Sequence, residues 1–93
     1  MATLYKADGT QEVIKPANGK KFDIKELQAL VGGTVERLKL PFDQRMVMNE
    51  DGRPKNLPVN DKASQLLHMA LGGNTVPIVG DVVVGTKNEL GLG

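Results

Sequence analysis

Two amphipathic helical patterns, each ended by a pair of glycines, constrain the fold of this chain more than any other feature. The first begins after Asp23, and Glu26 follows three residues later at the spacing of a capping box. The second begins after Asn60, a residue type that favours helix N-caps. Apolar residues recur at helical intervals in both segments, at Ile24, Leu27, Leu30 and Val31 and at Ala63, Leu66, Leu67, Ala70 and Leu71. The glycine pairs at 32–33 and 72–73 end the helices, and each apolar stripe needs another element to cover it.

Short β-branched and aliphatic stretches bounded by turn residues predict about five strands. They cover residues 4–15, folded as a hairpin about Asp8-Gly9, and residues 34–40, 45–49 and 76–84. The last stretch contains the unbroken apolar run Val82–Val84. Such a run is typical of a strand that is buried on both faces, so it favours a central place in the sheet.

The predicted elements form one small domain. Ninety-three residues leave no room for two cores. We therefore expect an α+β fold, with two amphipathic helices packed on a small, mostly antiparallel sheet of about five short strands. Residues 1–85 make up this domain. Residues 86–93 end in glycine, and we expect them to form a flexible C-terminal tail.

Charge and residue usage disfavour several classes of function. Twelve Lys and Arg against eleven Asp and Glu give a net charge of +1, which disfavours binding of nucleic acid through its phosphates. Three aromatic residues argue against stacking on single strands. The absence of cysteine excludes disulfides and thiolate metal sites. No apolar segment has the character of a secretory signal or of a membrane span, so we expect a cytoplasmic protein without membrane contact.

The chain has no recognisable motif for catalysis or for a cofactor. His68, the single histidine, lies near the edge of the second helical stripe and is expected to be a partly exposed helix residue. Glu50 and Asp51 precede a glycine and fit a turn better than a metal site. The glycine pairs follow helices, whereas phosphate-binding loops precede them. We therefore expect no enzymatic activity, no catalytic residues, no metal and no cofactor.

The basic residues in the middle of the chain form one constellation that suggests a site. Arg37 and Lys39 are two residues apart and share a face of their strand. Together with Arg45 and Arg53 they can hold a phosphorylated ligand or an acidic protein surface, and solvated charges on a sheet face are the alternative. Gly80 fits either a bulge or a close approach of a ligand to the backbone. We take these five residues as the candidate ligand-binding set.

Several stretches together resemble a family of small domains of unknown function. They are residues 25–33, 49–52, 57–60 with Ala63, and 77–84, and the likeness extends from about Leu4 to Val84. Members of that family occur mostly in bacteriophage and mobile-element proteins. The resemblance assigns no catalytic residue to this chain. The resemblance implies a phage-type accessory protein that acts in the host cytoplasm.

Three functions are compatible with these observations. The first is a non-enzymatic protein that counters host defence by binding, through sequestration of a nucleotide signal. Inhibition of a host protein and a small nucleic-acid-associated role are the alternatives. Because a small monomer has little concave volume, we expect a homo-oligomer whose joined surfaces form the pocket.

Overall fold

In the computed structural model, which describes residues 2–52, 54–73 and 75–91, five strands and three helices follow one another along the chain. They are β1 (Ala2–Tyr5), β2 (Gln11–Ile14), α1 (Ile24–Val31), β3 (Val35–Leu40), β4 (Gln44–Asn49), α2 (Asp61–Leu71), β5 (Val82–Thr86) and α3 (Lys87–Leu90). The strands form one sheet in the order β2-β1-β5-β4-β3, and neighbouring strands are antiparallel. The expected α+β fold is confirmed, and β5 occupies the central position that its valine run predicts.

Apolar clusters fill the space on both faces of the sheet. Val82 belongs to one cluster and its neighbour Val83 to the other, because successive residues of a strand point to opposite faces. The face of Val83 carries α1 and α3 and is called the α1 face; the face of Val82 carries α2 and is called the α2 face. The first cluster contains Ala2, Leu4, Phe22, Leu27, Val31, Val47, Val83 and Leu90, and the second contains Met46, Ala63, Leu67, Ile78 and Val82. The sheet is therefore the middle of three layers.

Both long helices begin and end where their sequences predict. The Asp23 N–H donates to Glu26 Oε1 at 2.9 Å at the start of α1. At the start of α2, Asn60 Oδ1 accepts from the Ala63 N–H at 3.0 Å. Gly32 ends α1 in the left-handed conformation with a φ of 82°, which glycine adopts without steric cost.

The segment that follows β5 differs from the expected tail. Thr86 ends β5, and the next four residues form α3. The Thr86 N–H donates to Glu89 Oε1 at 3.5 Å and the Thr86 hydroxyl accepts from the Glu89 N–H at 3.3 Å, so a capping box starts this helix. Leu90 is fully buried in the first cluster. Residues 86–91 therefore pack on the domain, while residues 92 and 93 lie outside the described part of the chain.

Candidate functional site

The structure places three of the five candidate residues on one face of two neighbouring strands. Lys39 in β3 and Arg45 in β4 are directly paired across the ladder. Arg37 follows two residues from Lys39, so all three belong to the α1 face. Arg53 lies outside the described residues. The expected convergence of basic residues is therefore observed for these three.

The two arginines of this group already bind backbone carbonyl groups. Arg37 Nε donates at 2.7 Å to the carbonyl of Leu90, at the end of α3. Arg45 Nη1 donates at 2.8 Å to the carbonyl of Gln44. Arg45 is only 8% exposed, and its buried Nε has no hydrogen-bond partner in the described part of the chain. Arg45 is thus mainly a packed side chain, and a ligand in solution reaches Arg37 and Lys39 more easily.

Arg37 also lines a polar cleft at the beginning of α1. The cleft has a volume of about 450 Å³ and is lined by Asn18, Lys21, Phe22, Asp23, Ile24 and Arg37. Among the described residues, the terminal nitrogens of Arg37 have no hydrogen-bond partner. The amino end of α1 adds partial positive charge to the two cations of Lys21 and Arg37. Asp23 supplies the one carboxylate among the described residues of the lining.

Local hydrogen bonds hold the loop that carries Lys21. Asn18 Oδ1 accepts from the N–H groups of Lys20 and Lys21, both at 2.9 Å. Phe22 is buried, and its N–H donates to the carbonyl of Glu89 at 2.8 Å. The loop is therefore attached to α3, which is itself bonded to Arg37. Sequence reasoning missed Lys21, because nothing local indicates that it meets a residue in β3.

Gly80 has a structural role at the other end of β5. It has a φ of 79°, and a Cβ atom there would lie 2.8 Å from Leu57 Cδ1. Its N–H donates to the carbonyl of Pro58 at 2.8 Å. Gly85, near the far end of β5, is the residue that pairs with Arg45. Gly80 is therefore not part of the basic group, and a ligand contact at this glycine stays a prediction.

The hairpin between β3 and β4 exposes an aromatic side chain that the sequence analysis did not single out. Phe42 and Asp43 have φ values of 60° and 58°, and Phe42 is 94% exposed. Two positive φ values define a tight hairpin turn that usually contains Asn-Gly, so this turn has no clear sequence signal. The tip borders an apolar groove of about 340 Å³ that Leu40, Leu66 and Met69 help to line.

The remaining titratable residues fit structural roles. His68 is exposed on α2. Within the described ranges, no three His, Asp or Glu side chains lie close enough together to hold a metal ion. Hydrogen bonds from the side chain and backbone of Thr10 lower the pKa of Asp8 in the turn between β1 and β2. In the same ranges, no helix has the length and apolar character required to cross a membrane.

The fold and the cleft define a small three-layer α+β domain with a candidate anion site beside α1. The chain belongs to the family described as Domain of unknown function (DUF3846), whose model matches residues 2–91. The expected membership of a family of unknown function is confirmed, and the match includes α3. Comparisons with curated proteins and with solved structures gave no match.

Proposed function

We propose that this protein is a non-enzymatic binding protein that takes a small phosphorylated ligand in the cleft beside α1. The observation that carries the proposal is the presence of Lys21 and Arg37 in one cleft with the amino end of a helix. The Nη groups of Arg37, which have no hydrogen-bond partner among the described residues, can donate two parallel hydrogen bonds to a phosphate, and Lys21 adds a point charge. A volume of about 450 Å³ lies within the range of small-molecule sites.

The lining favours a nucleotide over inorganic phosphate. Ile24 is 41% exposed and forms an apolar wall of the cleft. A ligand with a phosphate at one end and a base or sugar at the other matches both kinds of surface. Asp23 repels negative charge, so we place the phosphate on the Arg37 side of the cleft.

The biological setting in this proposal rests on the family resemblance. A phage-type accessory protein that sequesters a nucleotide signal in the host cytoplasm counters host defence without catalysis. The cleft is open to solvent, and a second copy of the chain can close it, so we keep the homo-oligomer in the proposal.

Inhibition of a host protein is the second candidate, and one observation favours it. Phe42 is 94% exposed beside an apolar groove. Exposed aromatic side chains next to apolar concavities are typical of protein-binding surfaces.

A thermal-shift screen tests the nucleotide proposal. We expect one member of a panel of linear and cyclic nucleotides at about 1 mM to raise the Tm by several degrees, since binding at about 100 Kd stabilises by about 2.7 kcal/mol. Lys21→Ala removes a cation of the cleft and is expected to abolish the shift. Lys20→Ala removes an exposed neighbouring cation that does not line the cleft, and is expected to retain it. Absence of a shift with every nucleotide rejects the proposal.

A further inference from the structure

The outer edge of β3 is a strand edge with free backbone groups. β3 is last in the sheet order, and among the described residues it pairs only with β4. Within the described residues, no backbone group of Val35–Leu40 makes a hydrogen bond outside that ladder. β3 has six residues, whereas β2 at the opposite edge has four. An edge of this length is a template on which another strand can pair.

The side chains of β3 give opposite charge to the two faces beside this edge. On the α1 face, Arg37 and Lys39 are neighbours and neither forms an ion pair in the described part of the chain. On the α2 face, Glu36 and Glu50 border a largely apolar cavity of about 220 Å³ that Leu38 helps to line. Within the described residues, neither glutamate side chain forms a hydrogen bond or an ion pair. A strand added to this edge therefore meets positive charge on one face and negative charge with an apolar cavity on the other.

A second copy of β3 is a poor occupant of the edge. Two copies related by a two-fold axis pair antiparallel and keep corresponding faces together. A register centred on Arg37 places Arg37 of one copy opposite Arg37 of the other. A register centred on Lys39 does the same for Lys39. The register centred on Leu38 places Arg37 opposite Lys39 twice, and the register centred on Glu36 places two glutamates together. Like charges directly opposite destabilise a strand pair, so every central register is disfavoured.

We infer that the edge of β3 binds an extended segment of another protein in which acidic residues alternate with apolar ones. Backbone groups of the segment pair with the free groups of β3 and extend the sheet by one strand. Its acidic side chains face Arg37 and Lys39 on the α1 face. Its apolar side chains cover Leu38 and enter the cavity on the α2 face. A shift by one residue would turn the acids toward Glu36, so charge sets the register.

This surface goes beyond the proposed ligand cleft. It requires neither Lys21 nor a phosphate, and it uses the backbone of β3 and the exposed Lys39, which does not line the cleft. Arg37 is the one side chain that both sites share. Variants of Lys21 and Lys39 therefore separate the two.

Synthetic peptides test the strand addition. The probe is an eight-residue peptide of alternating glutamate and valine, blocked at both ends and titrated calorimetrically into the whole chain. We expect saturable binding, together with slower hydrogen exchange at the outward-facing amides of β3. A lysine-valine peptide of the same length is expected to bind at least about tenfold more weakly. The glutamate peptide with its four central nitrogens methylated is expected not to bind, because those nitrogens no longer donate.

Matched variants locate the contact. Lys39→Glu is expected to weaken peptide binding about fivefold or more, because it replaces an attraction with a repulsion across the strand pair. Lys15→Glu, an exposed site after β2 at the opposite edge, is expected to bind as the unmodified chain does. Lys21→Ala is also expected to retain peptide binding. No binding of the glutamate peptide, equal binding of its methylated form, or full affinity in Lys39→Glu each overturns the inference.

Discussion

Asn60 Nδ2 donates a hydrogen bond of 2.8 Å to the carbonyl oxygen of Gly80. The same nitrogen donates at 2.8 Å to the carbonyl of Tyr5, and Oδ1 accepts from the Ala63 N–H at 3.0 Å. Asn60 is fully buried, so these bonds are shielded from water. One side chain therefore connects the start of α2, the end of β1 and the approach to β5.

Removal of this side chain is expected to destabilise the whole domain. Asn60→Ala removes the side-chain donor to the carbonyls of Tyr5 and Gly80 and the acceptor of the buried Ala63 N–H, which caps α2. We expect a loss of about 2–4 kcal/mol in the free energy of unfolding, measured by urea denaturation. Asn60→Asp keeps an acceptor for Ala63 but places oxygen against the two carbonyls, so it is expected to be no more stable than Asn60→Ala. Stability within about 0.5 kcal/mol of the unmodified chain in either variant contradicts this role.

A comparison of alanine substitutions at Gly80 and Gly19 distinguishes the cost of backbone strain from the cost of steric crowding. Their φ values are 79° and 78°, but a Cβ at Gly80 meets Leu57 at 2.8 Å whereas a Cβ at Gly19 meets no atom of the described residues within 4 Å. Both alanine substitutions suffer the same left-handed strain, and only Gly80→Ala adds a clash. We expect Gly80→Ala to cost about 1–2 kcal/mol more than Gly19→Ala in thermal unfolding.

A double-mutant cycle identifies the origin of that difference. Leu57→Ala removes the atom that the new Cβ would meet, so Gly80→Ala is expected to cost less in the Leu57→Ala background. Equal costs in the two backgrounds would show that crowding against Leu57 does not explain the requirement for glycine.

Removal of the acidic residue of the cleft, Asp23, is expected to strengthen ligand binding, whereas removal of Lys21 is expected to abolish it. Asp23→Asn removes the one carboxylate found among the described lining residues, and asparagine is an equally good N-cap. The affinity for a phosphorylated ligand is therefore expected to rise about threefold, while the Tm without ligand stays nearly unchanged. Calorimetric titration with the nucleotide that gives the largest thermal shift measures the change.

A charge-matched control accompanies this prediction. Asp61→Asn removes the same charge from the first turn of α2, away from the cleft. If Asp61→Asn tightens binding as much as Asp23→Asn does, the effect reports net charge and the placement of the ligand beside Asp23 is wrong.

The parts of the fold that the sequence predicts depend on contacts between near neighbours. Asp23 and Glu26 form their capping hydrogen bond across three residues, and Asn60 caps α2 across the same separation. The central place of β5 follows from the valine run, since only a strand covered on both faces tolerates it. These features can therefore be predicted from the sequence without knowledge of the tertiary structure.

The candidate site depends on contacts that no local pattern announces. Arg37 binds the carbonyl of Leu90, which is 53 residues away, and it shares its cleft with Lys21 from the loop before α1. α3 has a capping box in its sequence, but a single turn is too short for an apolar periodicity to mark it. The basic residues of β3 and β4 were predicted because strand alternation places them on one face. The backbone partner of Arg37 lies at the end of α3, in the segment that was expected to be a flexible tail.

Glu89 in α3 gives a pH dependence of stability that a variant can isolate. Burial raises the pKa of Glu89, but hydrogen bonds, including those from the Thr86 backbone and hydroxyl, lower it by more, so the net pKa lies below the ordinary value of 4.5. A carboxyl group whose pKa is lower in the folded state than in the unfolded state stabilises the fold above about pH 4.5. This stabilisation is lost as the pH falls through the pKa of the folded state. Asp8, whose pKa is also lowered, contributes with the same sign.

We therefore expect the free energy of unfolding to decline on acidification below about pH 4.5, and to decline less steeply in Glu89→Gln, where the contribution of Asp8 remains. Urea denaturation across this window measures the slopes, with Glu12→Gln on the exposed edge strand β2 as the control. Parallel curves for Glu89→Gln and the unmodified chain would show that ionised Glu89 does not contribute to this pH dependence.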